Sequence, residues 1–186
     1  MFNFEKYNEI VDIIKEKGIK TEIIAISKNH SLKQVEDAIS NNLTIFGENR
    51  VQEAVSKFSE ILKNNKNIKL HLTGPLQTNK TKIAIDVFDT FHTLDREKLL
   101  REFSKYSEKL KNKEFFIQVN TGKESTKSGI FPEDAKSFLD LCKSLGLNNI
   151  DGLMCIPPIN EDPTKHFQII TNLTQEFGLG KPSIGM

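Results

Sequence analysis

Thr21-Glu22-Ile23-Ile24-Ala25-Ile26-Ser27-Lys28-Asn29-His30 is a short apolar run that stops abruptly in polar residues. It is too short for a core helix and rich in β-branched isoleucine, so it reads as a buried strand. Similar runs recur at 44–48 (TIFGE), 69–73 (KLHLT), 87–94 (VFDTFHTL), 114–120 (EFFIQVN) and 149–156 (NIDGLMCI). Between them the apolar spacing changes to three and four: Val51, Ala54, Val55 and Phe58 share one face, then Leu99, Phe103, Tyr106 and Leu110, then Ala135, Phe138, Leu139 and Cys142. That is the helical period. Strands apolar on both faces, each followed by a helix, require a parallel sheet covered on its faces. The order is therefore βα repeated. An open doubly wound sheet and a closed (β/α) barrel both satisfy it.

Helix starts are marked by local chemistry. Ser31 with Gln34 forms a capping-box pattern, Asp95 precedes a helix expected over 96–110, and Pro132 stands where a first helical residue would. A helix over 163–177 follows the sixth strand, and Tyr7, Ile10, Val11 and Ile14 give an amphipathic helix before the first. The 186 residues fit one domain, 1–186, without a linker or an internal repeat.

Composition narrows the function classes. Lys and Arg number 26 against 25 Asp and Glu, a net charge of +1, which argues against a polyanion-binding surface. Nucleic acid is thus not an expected partner. No apolar run approaches a membrane span, and the first residues lack the basic start and apolar stretch of a signal peptide. The two cysteines, Cys142 and Cys155, have no metal-finger spacing, and a reducing cytoplasm is the expected setting. No metal site is expected.

In parallel α/β folds the C-terminal strand ends share the face where ligands bind. Here those ends carry Ser27-Lys28-Asn29, Gly47-Glu48-Asn49, Thr73-Gly74-Pro75 and Cys155-Ile156-Pro157. Lys28 follows the apolar run directly. A lysine flanked by barrel wall is desolvated, which disfavours its ammonium and frees the amine to attack an aldehyde. Gly74, Asn79, Lys80 and Thr81 have part of a phosphate-loop spacing, but Asn79 stands where the second glycine is needed and Pro75 removes a donor. No Gly-x-Gly-x-x-Gly follows the first strand. His71 and His92 lie within strands and read as hydrogen-bonded core residues, and Cys155 as a structural thiol.

Six segments, taken together, resemble one family: Ala25-Ile26-Ser27-Lys28, Phe46-Gly47-Glu48-Asn49-Arg50-Val51-Gln52-Glu53, His71 to Lys80, Gln118-Val119-Asn120-Thr121, Lys127-Ser128-Gly129 and Gly152-Leu153-Met154-Cys155-Ile156-Pro157. In this order and spacing they are similar to the pyridoxal phosphate homeostasis proteins, single-domain relatives of the alanine racemase N-terminal barrel. The resemblance implies a type III pyridoxal-phosphate fold, a (β/α)8 TIM barrel. It implies that Lys28 is the Schiff-base lysine and that Asn49, His71 and Met154 line the cofactor pocket. Ser183-Ile184-Gly185-Met186 is similar to the start of the family's phosphate-binding stretch. Because the match stops at Met186, the expected barrel lacks its last unit.

The function so implied is that of a non-catalytic pyridoxal 5'-phosphate carrier and buffer, with apo pyridoxal-phosphate enzymes as recipients. The alternative is a small racemase-like enzyme using the same cofactor. That alternative needs a second acid–base group opposite Lys28, and the two tyrosines, Tyr7 and Tyr106, both fall on expected helices.

Overall fold

A computed structural model describes residues 2–185. Seven strands form one sheet in sequence order, every neighbouring pair parallel. They are β1 (Ala25–Ile26), β2 (Ile45–Glu48), β3 (Lys69–Leu72), β4 (Thr90–Leu94), β5 (Glu114–Gln118), β6 (Ile150–Cys155) and β7 (Ser183–Ile184). Helix α1 (Phe4–Glu16) precedes them. Between successive strands run α2 (Leu32–Ser40), α3 (Val51–Asn64), α4 (Thr81–Val87), the pair α5 (Glu97–Ser104) and α6 (Ser107–Leu110), α7 (Ala135–Ser144) and α8 (Pro163–Glu176). An unbroken strand order with a helix in each crossover is the topology of a (β/α) barrel, and it removes the doubly wound alternative.

Two contacts show that the sheet curls. In a flat sheet of seven strands the outermost pair would stand roughly 29 Å apart. Yet Lys181, just before β7, lies 3.7 Å from Glu22, just before β1, and also reaches Asp151 on β6 at 3.2 Å. Likewise Ser183 Oγ on β7 is 2.8 Å from His92 Nδ1 on β4, three strands away. The described strands are seven staves of a barrel, with β1 and β7 flanking the seam.

Outward-facing residues make the core between sheet and helices. Phe46 packs on Phe58 of α3, and Phe91 contacts Phe88, Phe103 and Phe115, with every one of these rings buried. Gly152 is demanded by the β6–β7 seam, because a Cβ there would stand 1.7 Å from the Lys181 carbonyl oxygen.

Several local expectations hold. Ser31 and Gln34 make the full capping box at α2, and Pro132 opens a short 3-10 turn that runs into α7. Others shift. β1 has two residues rather than seven, since it is hydrogen-bonded on one side only. Residues 87–89 close α4 and turn before β4, instead of extending the strand. The helix expected over 96–110 breaks after Ser104, and Asp95 does not cap it: its carboxylate is taken by Arg96, whose guanidinium also donates to the Leu76 carbonyl.

Candidate functional site

Alternation along each strand sorts the candidate residues. Phe46 points to the helices, so Gly47 points inward, where a Cβ would meet Ile26 Cδ1 at 2.5 Å and Thr73 Cγ2 at 3.4 Å. Gly47 pairs with Ile26 on one side and His71 on the other, which puts His71 on the same inner face. His92 joins it from β4 with its ring stacked 4.5 Å above Phe116 of β5. Gln118, Met154 and Ser183 are register partners across β5, β6 and β7, and the Ser183–His92 contact fixes their side as the interior.

Of the five residues expected at the pocket, four are placed on this inner wall or at its rim. Asn49 follows β2 and accepts a hydrogen bond from the Thr73 hydroxyl at 2.9 Å. His71 is buried, with Nδ1 2.9 Å from His92 Nε2. Met154 is buried in the wall beside β7. Ser183 is half-buried and ends the histidine chain, while Met186 of the same expected stretch lies outside the described residues.

Lys28 corrects an expectation. It is exposed, not sunk against barrel wall, because β1 ends at Ile26 and the chain turns through Lys28 and Asn29. Among the described residues it makes no ion pair or side-chain hydrogen bond. The β1–β2 register ends with Ile26 opposite Gly47, two residues before Lys28 on one strand and two before Asn49 on the other.

The electrostatics of the interior are set by what it lacks. Among the described residues no carboxylate touches either histidine. Burial, with Lys181 and Lys69 nearby, pushes His71 down to about 4, and burial, His71 and Lys181 push His92 down to about 3. Both rings are neutral at pH 7, so each has one donor nitrogen and one acceptor. A His71–His92–Ser183 chain of neutral groups can then run in either direction. When His71 Nδ1 donates to His92 Nε2, His92 Nδ1 donates to Ser183 Oγ, and the serine hydroxyl proton is left to point at a ligand.

Other motif residues prove architectural. Gly74 lies against β2, where a Cβ would stand 2.4 Å from the Asn49 carbonyl oxygen, so its smallness serves strand-end packing rather than a phosphate loop. Asn120 bonds to residues 124 and 127 of its own loop, with its amide donating to both carbonyls and its Oδ1 accepting the Glu124 N–H. Cys155 and Cys142 are buried free thiols, which burial pushes up to about 11 and about 12.

Two features of the site were not expected from sequence. One is the pairing of the two histidines, which the chain holds 21 residues apart. The other is Lys57, whose ammonium is buried behind β1 and β2 against Glu48 at 2.7 Å and Glu53 at 3.0 Å. A signal existed: Lys57 falls three residues after Ala54 and four before Ile61, on the apolar face of α3.

Comparison with known proteins agrees with this fold. The family model for the alanine racemase N-terminal domain matches residues 5–179. A pyridoxal phosphate homeostasis protein of Buchnera aphidicola is 39% identical over 153 residues, covering 78% of this chain and 64% of the relative. One from Vibrio alginolyticus is 34% identical over 170 residues, covering 88% and 72%. The chain thus spans about two thirds to three quarters of these relatives' length. Among solved structures, PipY of Synechococcus elongatus PCC7942 with pyridoxal phosphate bound is 28% identical with a TM-score of 0.73, over 89% of this chain and 81% of that one.

Proposed function

Because the chain belongs to the alanine racemase N-terminal domain family, we propose that it binds pyridoxal 5'-phosphate through Lys28 and acts as a non-catalytic cytoplasmic carrier and buffer of that cofactor. Recipients would be apo-enzymes that use it. The observation that carries the proposal is the barrel mouth, where an exposed lysine with no bonded partner among the described residues follows β1 as Asn49 follows β2, beside a polar inner wall that ends in the Ser183 hydroxyl.

When bound, pyridoxal phosphate supplies an aldehyde that condenses with an amine with loss of water, and a phosphate that needs hydrogen-bond donors. The donor set fits both ends. Lys28 offers the amine. Ser183 offers a hydroxyl whose proton is free when His92 donates to its oxygen, and an anion in front of Ser183 selects that direction of the chain. Asn49, held through its Oδ1 by Thr73, keeps its amide N–H groups available. Gly47 keeps the inner wall low between Ile26 and Thr73. Carboxylates on that wall would repel phosphate, and Asn49, His71, Thr73, His92, Gln118, Met154 and Ser183 include none.

Catalysis of racemisation requires a second acid–base group facing Lys28. Tyr7 lies on α1 and Tyr106 between α5 and α6, in the helical layer. Borohydride trapping with pyridoxal phosphate, followed by peptide mapping, should place the label on Lys28, and Lys28→Ala should abolish both label and visible absorption. Label on another lysine refutes the assignment. Turnover of an amino acid enantiomer by the loaded protein would refute the carrier.

A further inference from the structure

Lys57 sits on the far side of the barrel wall from the pocket, yet its bonds converge on the two residues flanking Lys28. Its ammonium donates to the Ser27 carbonyl at 2.8 Å, to Glu48 Oε1 at 2.7 Å and to Glu53 Oε1 at 3.0 Å, which uses all three of its protons. Glu48 Oε1 also accepts from the Ser27 hydroxyl at 2.7 Å. Glu53 Oε1 also accepts from the Asn29 backbone N–H at 2.8 Å. Residue 27 is thus held at two points and residue 29 at one, all by one charged cluster, while residue 28 between them is left unheld.

The turn needs holding. Asn29 has φ +63°, a left-handed conformation that costs a non-glycine residue. β1 adds little restraint, being two residues long and paired on one side. Meanwhile the cluster is expensive to build: Glu48 is fully buried, its Oε2 finds no protein partner, and Lys57 is buried beside it. The Asn29 N–H and Lys57 together hold the Glu53 carboxyl below its ordinary range.

We propose that Lys57, Glu48 and Glu53 form a positioning clamp that fixes the Ser27–Asn29 turn and thereby aims Lys28 into the barrel mouth. Its bearing on the cofactor rests on the function proposed above. The side chains of the clamp bond to one another and to Ser27 and Asn29, and they act through the backbone on either side of Lys28. Rigid support of this kind is what allows an exposed lysine on a short edge strand to meet an aldehyde in one geometry.

The test uses Glu53→Gln, which weakens the hold on Asn29 but leaves the Lys57–Glu48 pair, and Lys57→Met/Glu48→Gln, which dismantles the buried pair, frees the Ser27 carbonyl and leaves only the part-exposed Glu53 carboxylate without its cation. Two readouts are taken: the rate of borohydride-trappable attachment of pyridoxal phosphate to Lys28, and the exchange protection of the Asn29 amide without cofactor. Both variants should lose Asn29 protection and slow attachment at least tenfold at wild-type helical content. Adding Asn29→Gly to Glu53→Gln should restore the rate to within about threefold, because glycine adopts positive φ unaided. A merely structural role would not give that rescue.

Wild-type attachment rates in folded variants would overturn the proposal, as would slowing that Asn29→Gly leaves uncorrected. Should the Lys57→Met/Glu48→Gln pair fail to fold, Glu53→Gln and its rescue decide alone. If the wild-type protein takes no pyridoxal phosphate on Lys28, the cofactor assignment fails, and Asn29 exchange alone then decides whether the clamp holds the turn.

Discussion

Polar groups are buried on both sides of the barrel wall, and the two sets are kept in opposite ways. Outside the wall, Lys57 is surrounded by opposite charge, with carboxylates at 2.7 and 3.0 Å and a backbone carbonyl as its third acceptor. Inside the barrel, His71 and His92 have no carboxylate partner among the described residues and have Lys181 as a nearby cation. The outer group is compensated as an ion; the inner pair survives burial by giving up its charge. Compensation by ions fixes geometry, since three donors must meet three acceptors at once. Neutral compensation leaves a choice of hydrogen-bond direction, which a ligand can set. A backbone clamp and a ligand-facing wall call for these two solutions respectively.

The sharpest way to break this contrast is to remove one member of the outer cluster. Lys57→Met strands the Glu48 carboxylate, which is fully buried and would retain only the Ser27 hydroxyl as donor. Breaking a buried pair from one side costs about 3–5 kcal/mol, whereas replacing both members is far milder. Urea denaturation should therefore show Lys57→Met to be less stable than Lys57→Met/Glu48→Gln. Equal stability of the two would mean that the pair is not held as an ion pair at all.

The same contrast explains what the sequence disclosed. Element order, parallel pairing and the Ser31 cap follow from local rules, and each is seen in the structure. Lys28 stood out as a lysine directly after an apolar run, whereas Asn49, His71, Met154 and Ser183 were legible as pocket residues only as matches to a family pattern; the inner face those four share depends on register, which no single segment encodes. The exposure of Lys28 was misjudged because a seven-residue apolar run gives no sign that only two residues will pair. Glu53 and Lys57 were visible as an i, i+4 pair on α3, but the contact with Ser27 spans 30 residues and needs the β1–β2 pairing to exist first. The β4 boundary failed for a similar reason: Asp89 looks like strand interior until its carboxylate is seen accepting the Leu70 N–H across the sheet.

Acid should act on the inner pair before it reaches the carboxylates. Their folded values, about 4 and about 3, lie below the 6.5 of an unfolded histidine, so the unfolded chain binds more protons as pH falls below 6.5. Stability from the pair is present above that value and is lost as pH drops toward the folded values. Between pH 7.5 and 5.5, a window above ordinary carboxylate titration, the loss should be about 3 kcal/mol. His71→Gln/His92→Gln should flatten the dependence of urea midpoint on pH in that window. An unchanged slope would show that the neutral histidines are not its source.

The smallest effect is expected where charge is neither buried nor neutralised. Lys136 and Asp140 on α7 form an i, i+4 pair at 2.6 Å, a closer approach than either Lys57 contact, but both side chains are more than half exposed. Water already solvates each ion, so forming the pair gains little and costs side-chain entropy. Lys136→Ala should shift stability by no more than about 0.5 kcal/mol, and that shift should shrink further in 0.5 M salt. Distance alone would rank this contact above the clamp. A loss at Lys136 comparable to that at Lys57 would mean that proximity outweighs desolvation, and the contrast between the outer cluster and the inner pair would lose its physical basis.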